Sequence, residues 1–214
     1  MIMIILHGRA TSVNVQMVAW ALVELGLPYE RLDVGGAFGG NDTPEFKAMN
    51  PNGFVPVLEI DGLILWESAA IVRYLAAKYG DERFWPDDPA KRAPIDKWAE
   101  WIKTTFVSAL LTGVFWPIIS TRPGEALPAN LDAGIAKLKD VATILETGVP
   151  VEGFYGGSDV CFADMVIGVY LYRYFDLPIN RADTPKLRAY YERLTQRPAY
   201  VEHVMVSYDS LRAK

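Results

Sequence analysis

Between residues 50 and 75 the chain reads NPNGFVPVLEIDGLILWESAAIVRYL. The first four residues are turn formers, and Asp61-Gly62 divides the apolar residues that follow, as expected for a two-residue hairpin turn. Glu67 and Ser68 suit the start of a helix, because an acidic side chain and a hydroxyl favour the free amide groups there. This segment therefore predicts a turn, a β-hairpin and a helix, in that order.

The residues before this segment predict a strand, a helix, a second strand and a short helix. The apolar run Ile2–Leu6 is typical of a strand covered on both faces. Apolar residues recur at helical spacing over Val15–Leu25, and residues 29–34 again predict a strand. A helical crossover between two strands favours their parallel pairing. A cap followed by proline then predicts a short helix over Thr43–Met49.

These patterns divide the chain into two domains. Residues 1–80 follow the order β-α-β-α-β-β-α, which predicts a compact α/β domain. Residues 81–89 are charged and contain two prolines, so we expect a linker there. Residues 90–214 are expected to form an all-α helical domain, because their apolar residues recur at helical spacing. Four stretches carry this spacing: 98–105, 135–145, 165–172 and 187–194.

The composition disfavours several classes of protein. The 214 residues carry a net charge of -5, whereas a general nucleic-acid binder would normally be basic. The single cysteine, Cys161, excludes an internal disulfide and a Cys-x-x-Cys redox pair. The two histidines, His7 and His203, lie far apart, and no cluster has zinc-ligand spacing. We find no apolar run long enough to span a bilayer and no signal peptide, so we expect a cytoplasmic protein without a membrane partner.

Residues 50–58 and 65–75 together resemble two motifs of the cytosolic glutathione transferase family. In that family the first segment leads to a cis-proline, and the second holds the γ-glutamyl end of glutathione. The resemblance covers essentially the whole chain, since residues 161–164 look like the helix start of the family's second domain and residues 196–200 like its closing helix boundary. It implies a thioredoxin-like glutathione-binding domain followed by a helical domain, in a homodimer that uses glutathione as co-substrate and no metal.

The resemblance also implies which hydroxyl acts on glutathione. Serine-type members, as in the bacterial theta- or delta-like proteins, place their catalytic hydroxyl between the first strand and the first helix, where Ser12 stands. A thiolate beside Ser12 would be stabilised by the helix dipole and by the hydroxyl donor. Thr11 and Asn14 are rivals for this role, and Ser12 could also serve only as a helix cap. Arg9 is interpreted as a solvated loop residue.

For the rest of glutathione, the resemblance implies a set of contacts along the first domain. A cis bond between Val55 and Pro56 would turn the Val55 backbone towards the cysteinyl unit, which could pair with it like an added strand. Glu67 would accept from the γ-glutamyl ammonium, and Ser68 would donate to the carboxylate. The glycyl carboxylate has no clear partner, with Asn52 and the backbone around Phe38 as candidates.

The second substrate is expected to be a small apolar electrophile held by the helical domain. The family places this site on the first long helix of that domain, where four apolar side chains are candidates: Phe106, Leu110, Phe115 and Trp116. Aromatic residues at helical spacing can equally form the core. Glutathione conjugation is therefore the leading hypothesis. Glutathione-dependent disulfide or peroxide reduction, and a non-catalytic binding protein on the same fold, are the alternatives.

Overall fold

A computed structural model describes residues 3–214 of the chain, and its first domain contains one four-stranded sheet. The strands are β1 (Ile4–His7), β2 (Glu30–Leu32), β3 (Val57–Ile60) and β4 (Leu63–Trp66). Their order is β2-β1-β3-β4, with β1 and β2 parallel and the other neighbours antiparallel. The predicted hairpin is confirmed, while β2 is shorter than predicted because β1, its partner, ends at His7. Ile2, part of the predicted first strand, lies outside the described residues.

Three helices complete the first domain, at the positions that the sequence predicts. They are α1 (Val13–Glu24), α2 (Pro44–Met49) and α3 (Ser68–Tyr79). The backbone amide of Phe46 donates to the Thr43 hydroxyl, so the predicted cap of α2 forms. After α1, Gly26 adopts a φ of +65°, a conformation that glycine reaches without steric cost. α1 is buried on nearly all sides, against the sheet, α3 and the helical remainder of the chain, whereas α3 buries one face in the same core.

The remainder of the chain is helical, as predicted. Its helices are α4 (Pro89–Ile119), α5 (Leu131–Glu146), α6 (Phe162–Asp176), α7 (Pro185–Leu194) and α8 (Pro198–His203). Between residues 90 and 214, all of which the structure describes, extended pairing is limited to an isolated bridge from Phe154 to Gly157. Within the predicted linker, Phe84 and Trp85 are buried in the core, and the Trp85 ring meets the ring of Phe162 edge-on.

Helix α4 departs from the sequence-based expectation. By length and apolar composition alone it could cross a membrane, whereas the sequence analysis found no apolar run of that length. Two stretches with wide, π-type turns, Ile102–Phe106 and Ser108–Phe115, continue the helix without a break. Several of its apolar side chains are fully buried among the other helices, and 39% of its apolar stretch is buried inside the protein. A core helix passes the same test of length and composition, and that test is therefore weak support for a membrane span.

The two domains share a continuous apolar core. Trp20, on α1, has no exposed surface, and its ring lies 5.0 Å from the ring of Tyr200, on α8. A Cβ atom on Gly168 of α6 would lie only 3.0 Å from the Trp20 ring, so the glycine allows this close approach. The helical domain is thereby fixed against α1, the helix whose first turn forms one wall of the candidate site.

Candidate active site

An open pocket of about 260 Å³ lies where the β1–α1 loop, the turn before β3 and the start of α3 meet. Seven of the residues that line this pocket were selected from the sequence as site residues or as rivals for a site role: Ser12, Asn14, Asn52, Val55, Pro56, Glu67 and Ser68. The sheet topology explains why these residues meet in one pocket. β1 and β3 are neighbours in the sheet, and α3 follows directly from the edge strand β4. Residues far apart in sequence thus converge at one end of the sheet.

Ser12 is placed at the N-cap of α1 with its hydroxyl uncommitted. Its backbone is extended, with φ −83° and ψ 120°, and its carbonyl accepts the first helical bond from Gln16 at 2.9 Å. The hydroxyl makes no capping bond to the described backbone, although a serine at this position commonly does. Because the residue lines the pocket, the hydroxyl is available to a ligand there.

The two rivals of Ser12 have other contacts. Thr11 does not line the pocket, and its carbonyl accepts from a guanidinium nitrogen of Arg173, on α6, at 2.6 Å. Asn14 lines the pocket, but its Oδ1 accepts from the hydroxyls of Ser68 at 3.2 Å and Tyr170 at 3.4 Å. Asn14 therefore joins the starts of α1 and α3 to the helical domain.

Asparagine side chains build the turn before β3. The buried Asn50 donates to the Phe54 carbonyl at 2.7 Å, and its Oδ1 accepts from the Asn52 amide at 3.1 Å. Asn41 donates to the Gly53 carbonyl at 2.8 Å from the neighbouring loop. The peptide bond from Val55 to Pro56 that follows is cis, as the family resemblance implied. Asn41 and Asn50 line the pocket, although the sequence analysis did not select them as site residues.

Glu67 and Ser68 stand at the start of α3, with their side chains in different surroundings. Glu67 has a φ of +69°, in the left-handed region, and its side chain is 62% exposed. Ser68 is buried, and its backbone begins the helix. The Nζ of Lys103, on α4, lies 3.8 Å from the Glu67 carboxylate. Lys103 does not line the pocket but neighbours Glu67, which does, and the sequence analysis missed it because no local motif marks a contact made from the other domain.

Arg9 is a pocket residue, which corrects its interpretation as a solvated loop arginine. Its side chain lies against Gly35 and Gly36, where a Cβ atom would come within 3.2 Å and 3.0 Å of it. The Nε atom is buried and has no hydrogen-bond partner among the described residues. Burial lowers the pKa of the Arg9 guanidinium from its usual value.

Three of the four residues predicted to hold the electrophile lie in the core. Phe106, Leu110 and Phe115 have no exposed surface, because α4 turns them inward against the other helices. The Phe106 ring, for example, lies 5.6 Å from that of Tyr174. Their positions match the alternative interpretation, in which aromatic residues at helical spacing form the core. Trp116 retains exposed surface.

Two further expectations concern Phe38 and a metal. Phe38 ends a short turn, Gly36–Phe38, where its side chain is exposed, and it does not line the pocket. Gly35, at the start of the same turn, does line it. Within residues 3–214, no group of three or more His, Cys, Asp or Glu side chains is arranged to hold a metal ion.

A thioredoxin-like sheet domain with a cis-proline pocket, joined to a helical domain, defines the class of the cytosolic glutathione transferases. The family model for the N-terminal domain of glutathione S-transferase matches residues 6–83. The chain is 40% identical over 206 residues to glutathione S-transferase GstB of Escherichia coli K12. The matched region covers 95% of this chain and 99% of GstB.

Solved structures agree with this match. The theta class glutathione S-transferase of Xanthomonas axonopodis pv. citri, with glutathione bound, is 39% identical with a TM-score of 0.88, covering 95% of this chain and 98% of that chain. Glutathione transferase F7 from Populus trichocarpa is 27% identical with a TM-score of 0.81, and the match covers 95% of this chain and 100% of that chain. The chain belongs to the glutathione S-transferase family and is a transferase.

Proposed function

We propose that this chain binds glutathione in the pocket at the start of α1 and transfers it, as a thiolate ionised beside Ser12, to an electrophilic carbon. The observation that carries this proposal is the position of the Ser12 hydroxyl. It lines the pocket at a helix N-terminus, makes no capping bond to the described backbone, and shares the pocket with Glu67 and Ser68.

The energy available at Ser12 is sufficient for this role. A free thiol has a pKa near ~8.5, and lowering it by about two units requires roughly 2.7 kcal/mol. A hydrogen bond to a charged group contributes about 1.5–3 kcal/mol, and a helix N-terminus about 0.3–1 kcal/mol. Together these two effects make a thiolate accessible near neutral pH, where it attacks an electrophile without a protein nucleophile.

Glu67 and Ser68 are proposed to hold the γ-glutamyl end. The exposed Glu67 carboxylate can accept from the ligand's ammonium, and the backbone amide of Ser68 at the start of α3 can donate to its carboxylate. The Asn14 side chain accepts from the Ser68 hydroxyl and so fixes its direction. Lys103 lies close enough to Glu67 to neutralise part of the ligand's carboxylate charge.

The middle and the glycyl end are proposed to lie along the asparagine-built turn. The Val55 backbone and Pro56 line the pocket beside Ser12, where the cysteinyl unit would lie. Each side-chain amide of Asn41 and Asn52 makes one observed hydrogen bond through its nitrogen, and such a nitrogen carries two hydrogens. One donor therefore remains on each for the glycyl carboxylate.

The electrophile is proposed to bind on the α4 side of Ser12. Lys103 places this helix next to Glu67, which lines the pocket, and Val107 and Leu111 follow Lys103 at four-residue steps, so all three lie on nearly the same face of α4. Both are half-buried and so retain surface for an apolar contact. Of the residues selected from the sequence, Trp116 alone retains the exposure that such a role requires.

We also propose a cytoplasmic homodimer that binds neither nucleic acid nor membranes. Trp98 and Trp101, which suggested an apolar interface in the sequence, contact each other at 5.4 Å, and Trp98 also packs on Gly148 within the helical domain. The edge strand β4 offers more free apolar surface, because Leu63, Ile64 and Trp66 are exposed along it.

The test of the proposed reaction is a glutathione titration by calorimetry, followed by assays of conjugation. We expect saturable binding of one glutathione per chain and a thioether product with a reactive halide. Reduction of a disulfide or peroxide without conjugation would favour the reductase alternative. Absence of both binding and turnover would leave only a non-catalytic protein on this fold.

A further inference from the structure

Arg9 is the one lysine, arginine or histidine side chain that lines the candidate pocket in the part of the chain that the structure describes. It forms no ion pair there, and its Nε atom is buried without a hydrogen-bond partner. A charge taken out of water is normally paired, so this guanidinium lacks an anion. Glutathione brings two carboxylates, and the glycyl carboxylate is so far assigned only to neutral asparagine donors.

The order of the strands places Arg9 at the glycyl end of the pocket. The loop after β2 and the start of α3, which follows β4, lie at opposite edges of the sheet, because the order is β2-β1-β3-β4. Arg9 lies against the loop after β2: its amide donates to the Val34 carbonyl at 3.0 Å, and a Cβ atom on Gly35 would come within 3.2 Å of its Nη1 atom. The γ-glutamyl end is assigned to the opposite edge, at α3.

The cysteinyl unit lies between these two edges in the proposed binding mode, beside the turn that carries the cis-proline. The same Cβ atom on Gly35 would lie 3.6 Å from the Val55 side chain, so the Arg9 loop contact adjoins this turn. Asn41, from the loop after β2, donates to the Gly53 carbonyl of the turn at 2.8 Å. A glutathione that runs from α3 past Val55 therefore ends beside Arg9 and Asn41.

Two glycines make room for the Arg9 side chain. Gly35 and Gly36 have φ values of +84° and +60°, and a Cβ atom on Gly36 would lie 3.0 Å from Cδ and 3.1 Å from Nε of Arg9. This close packing fixes the stem of the side chain and buries Nε. Since Arg9 as a whole still lines the pocket, the Nη nitrogens at its end are the atoms that a ligand can reach.

We propose that Arg9, fixed by Gly35 and Gly36, binds the glycyl carboxylate of glutathione and makes the pocket selective for a thiol with a free carboxylate at that end. This inference rests on the proposed function. An arginine supplies the positive charge that the asparagine amides lack, and its planar guanidinium matches the geometry of a carboxylate.

S-methylglutathione and its glycyl amide test this inference, because they have nearly the same shape and only the acid is charged at this end. The S-methyl group removes the thiol, so ionisation of the sulfur does not contribute. Calorimetry measures both Kd values, and the ratio of amide to acid is compared between variants. We expect a wild-type ratio of about ten or more, and Arg9→Gln should bring it close to one by weakening the acid alone. Arg9→Lys keeps the charge and should retain part of the ratio.

Two glycine variants test the packing against Arg9. Gly36→Ala would place a methyl group against the arginine stem and should lower the ratio by displacing the guanidinium. Gly39→Ala is the matched control, because Gly39 has a φ of +62° and a Cβ atom there would meet nothing within 4 Å. Both variants carry similar backbone strain, so only Gly36→Ala should change the ratio. Lys103→Met should weaken both ligands equally, because it acts at the γ-glutamyl end.

The outcomes separate this inference from the proposed function. A wild-type ratio near one, or an unchanged ratio in Arg9→Gln, would overturn the inference and leave the transferase proposal standing if glutathione is still conjugated. An equal loss of affinity for acid and amide in Arg9→Gln would also overturn it, because Arg9 would then support the pocket as a whole. Equal drops in Gly36→Ala and Gly39→Ala would overturn the role of the glycine packing. Failure of the wild-type protein to bind glutathione would contradict the proposed function itself.

Discussion

The Nζ atom of Lys103 lies 3.8 Å from the Oε2 atom of Glu67, so a side chain of the helical domain reaches the start of α3 in the sheet domain. Both groups are accessible to solvent, and an ion pair of this kind contributes only about 0–1 kcal/mol by itself. Its importance is its position. In the proposed binding mode, a ligand whose ammonium binds Glu67 would bring its own carboxylate close to Lys103, so that both domains would hold the γ-glutamyl end of glutathione.

Replacing Glu67 by alanine should weaken glutathione binding. The lost interaction is a charge-assisted hydrogen bond to the ligand's ammonium, so we expect a cost of roughly 1.5–3 kcal/mol, or about ten- to a hundredfold in Kd. Isothermal titration calorimetry measures it directly. Glu67→Gln keeps the length of the side chain and removes the charge, and it should fall between wild type and alanine. Lys103→Met should cost only a few-fold, and an unchanged Kd in Glu67→Ala would refute the assignment of the γ-glutamyl end.

Replacing Ser12 by alanine should raise the pKa of the bound glutathione thiol towards ~8.5, because one of the two stabilisers of the thiolate is lost. Since only the thiolate reacts, the pH-rate profile should move to higher pH. Near neutral pH the rate should fall about ten- to a hundredfold, from a barrier raised by roughly 1.5–3 kcal/mol. Thiolate absorbance of the complex, titrated with pH, reports the midpoint. Glutathione affinity should change less than the rate.

The matched control is Thr11→Ala, since Thr11 precedes Ser12 and does not line the pocket. Its titration midpoint should stay at the wild-type value. If Thr11→Ala moved the midpoint and Ser12→Ala did not, the role would belong to Thr11. If neither moved it, backbone amides alone would stabilise the sulfur, and a serine-type mechanism would not apply.

Replacing Asp164 by alanine should strongly destabilise the helical domain. The fully buried carboxylate accepts from the backbone amides of Tyr155 at 3.1 Å and Cys161 at 2.8 Å, and from the Tyr190 hydroxyl at 2.6 Å. The change leaves these buried donors without their acceptor, at a cost of roughly 3–5 kcal/mol. Urea unfolding measures the loss. Tyr190→Phe removes one donor only and should cost about 1 kcal/mol; a similar small loss for Asp164→Ala would show that water replaces the carboxylate.

The proposed homodimer predicts a mass of about twice 23.9 kDa in light scattering at micromolar concentration. If the exposed side chains of β4 form the contact, Ile64→Lys should weaken the dimer, because it places a charge in an apolar interface. Val151→Lys is the control, since Val151 is also exposed but lies outside that strand. A monomeric wild-type protein at this concentration would disprove the dimer.

Local sequence patterns predicted much of the fold, and the family resemblance selected several residues that line the candidate pocket. The hairpin at Asp61-Gly62 and the cap at Thr43 depend on residues a few positions apart, so their chemistry decides the local conformation. Ser12, Glu67 and Ser68 meet because the order of strands and helices brings the corresponding loops to one end of the sheet. The order itself was predictable from the periodicity.

The parts that escaped prediction depend on how the two domains face each other. Arg173 bonds to Thr11 across 162 positions of sequence, and Lys103 reaches Glu67 from a different domain. Which side of α4 faces the core also decides that Phe106 and Phe115 are buried rather than open to a ligand. A helical periodicity shows that an apolar face exists but not what that face contacts.

The burial of Trp20 between the domains has a consequence for how the protein loses its structure. Gly168 and Tyr200 of the helical domain cover the Trp20 side chain on α1. Separation of the helical domain would therefore expose this large aromatic side chain of the sheet domain to water. We therefore expect that neither half melts while the other stays intact. Heat should unfold both domains in one cooperative transition, with equal calorimetric and van't Hoff enthalpies, and the tryptophan fluorescence should change at the same temperature as the helical signal in circular dichroism.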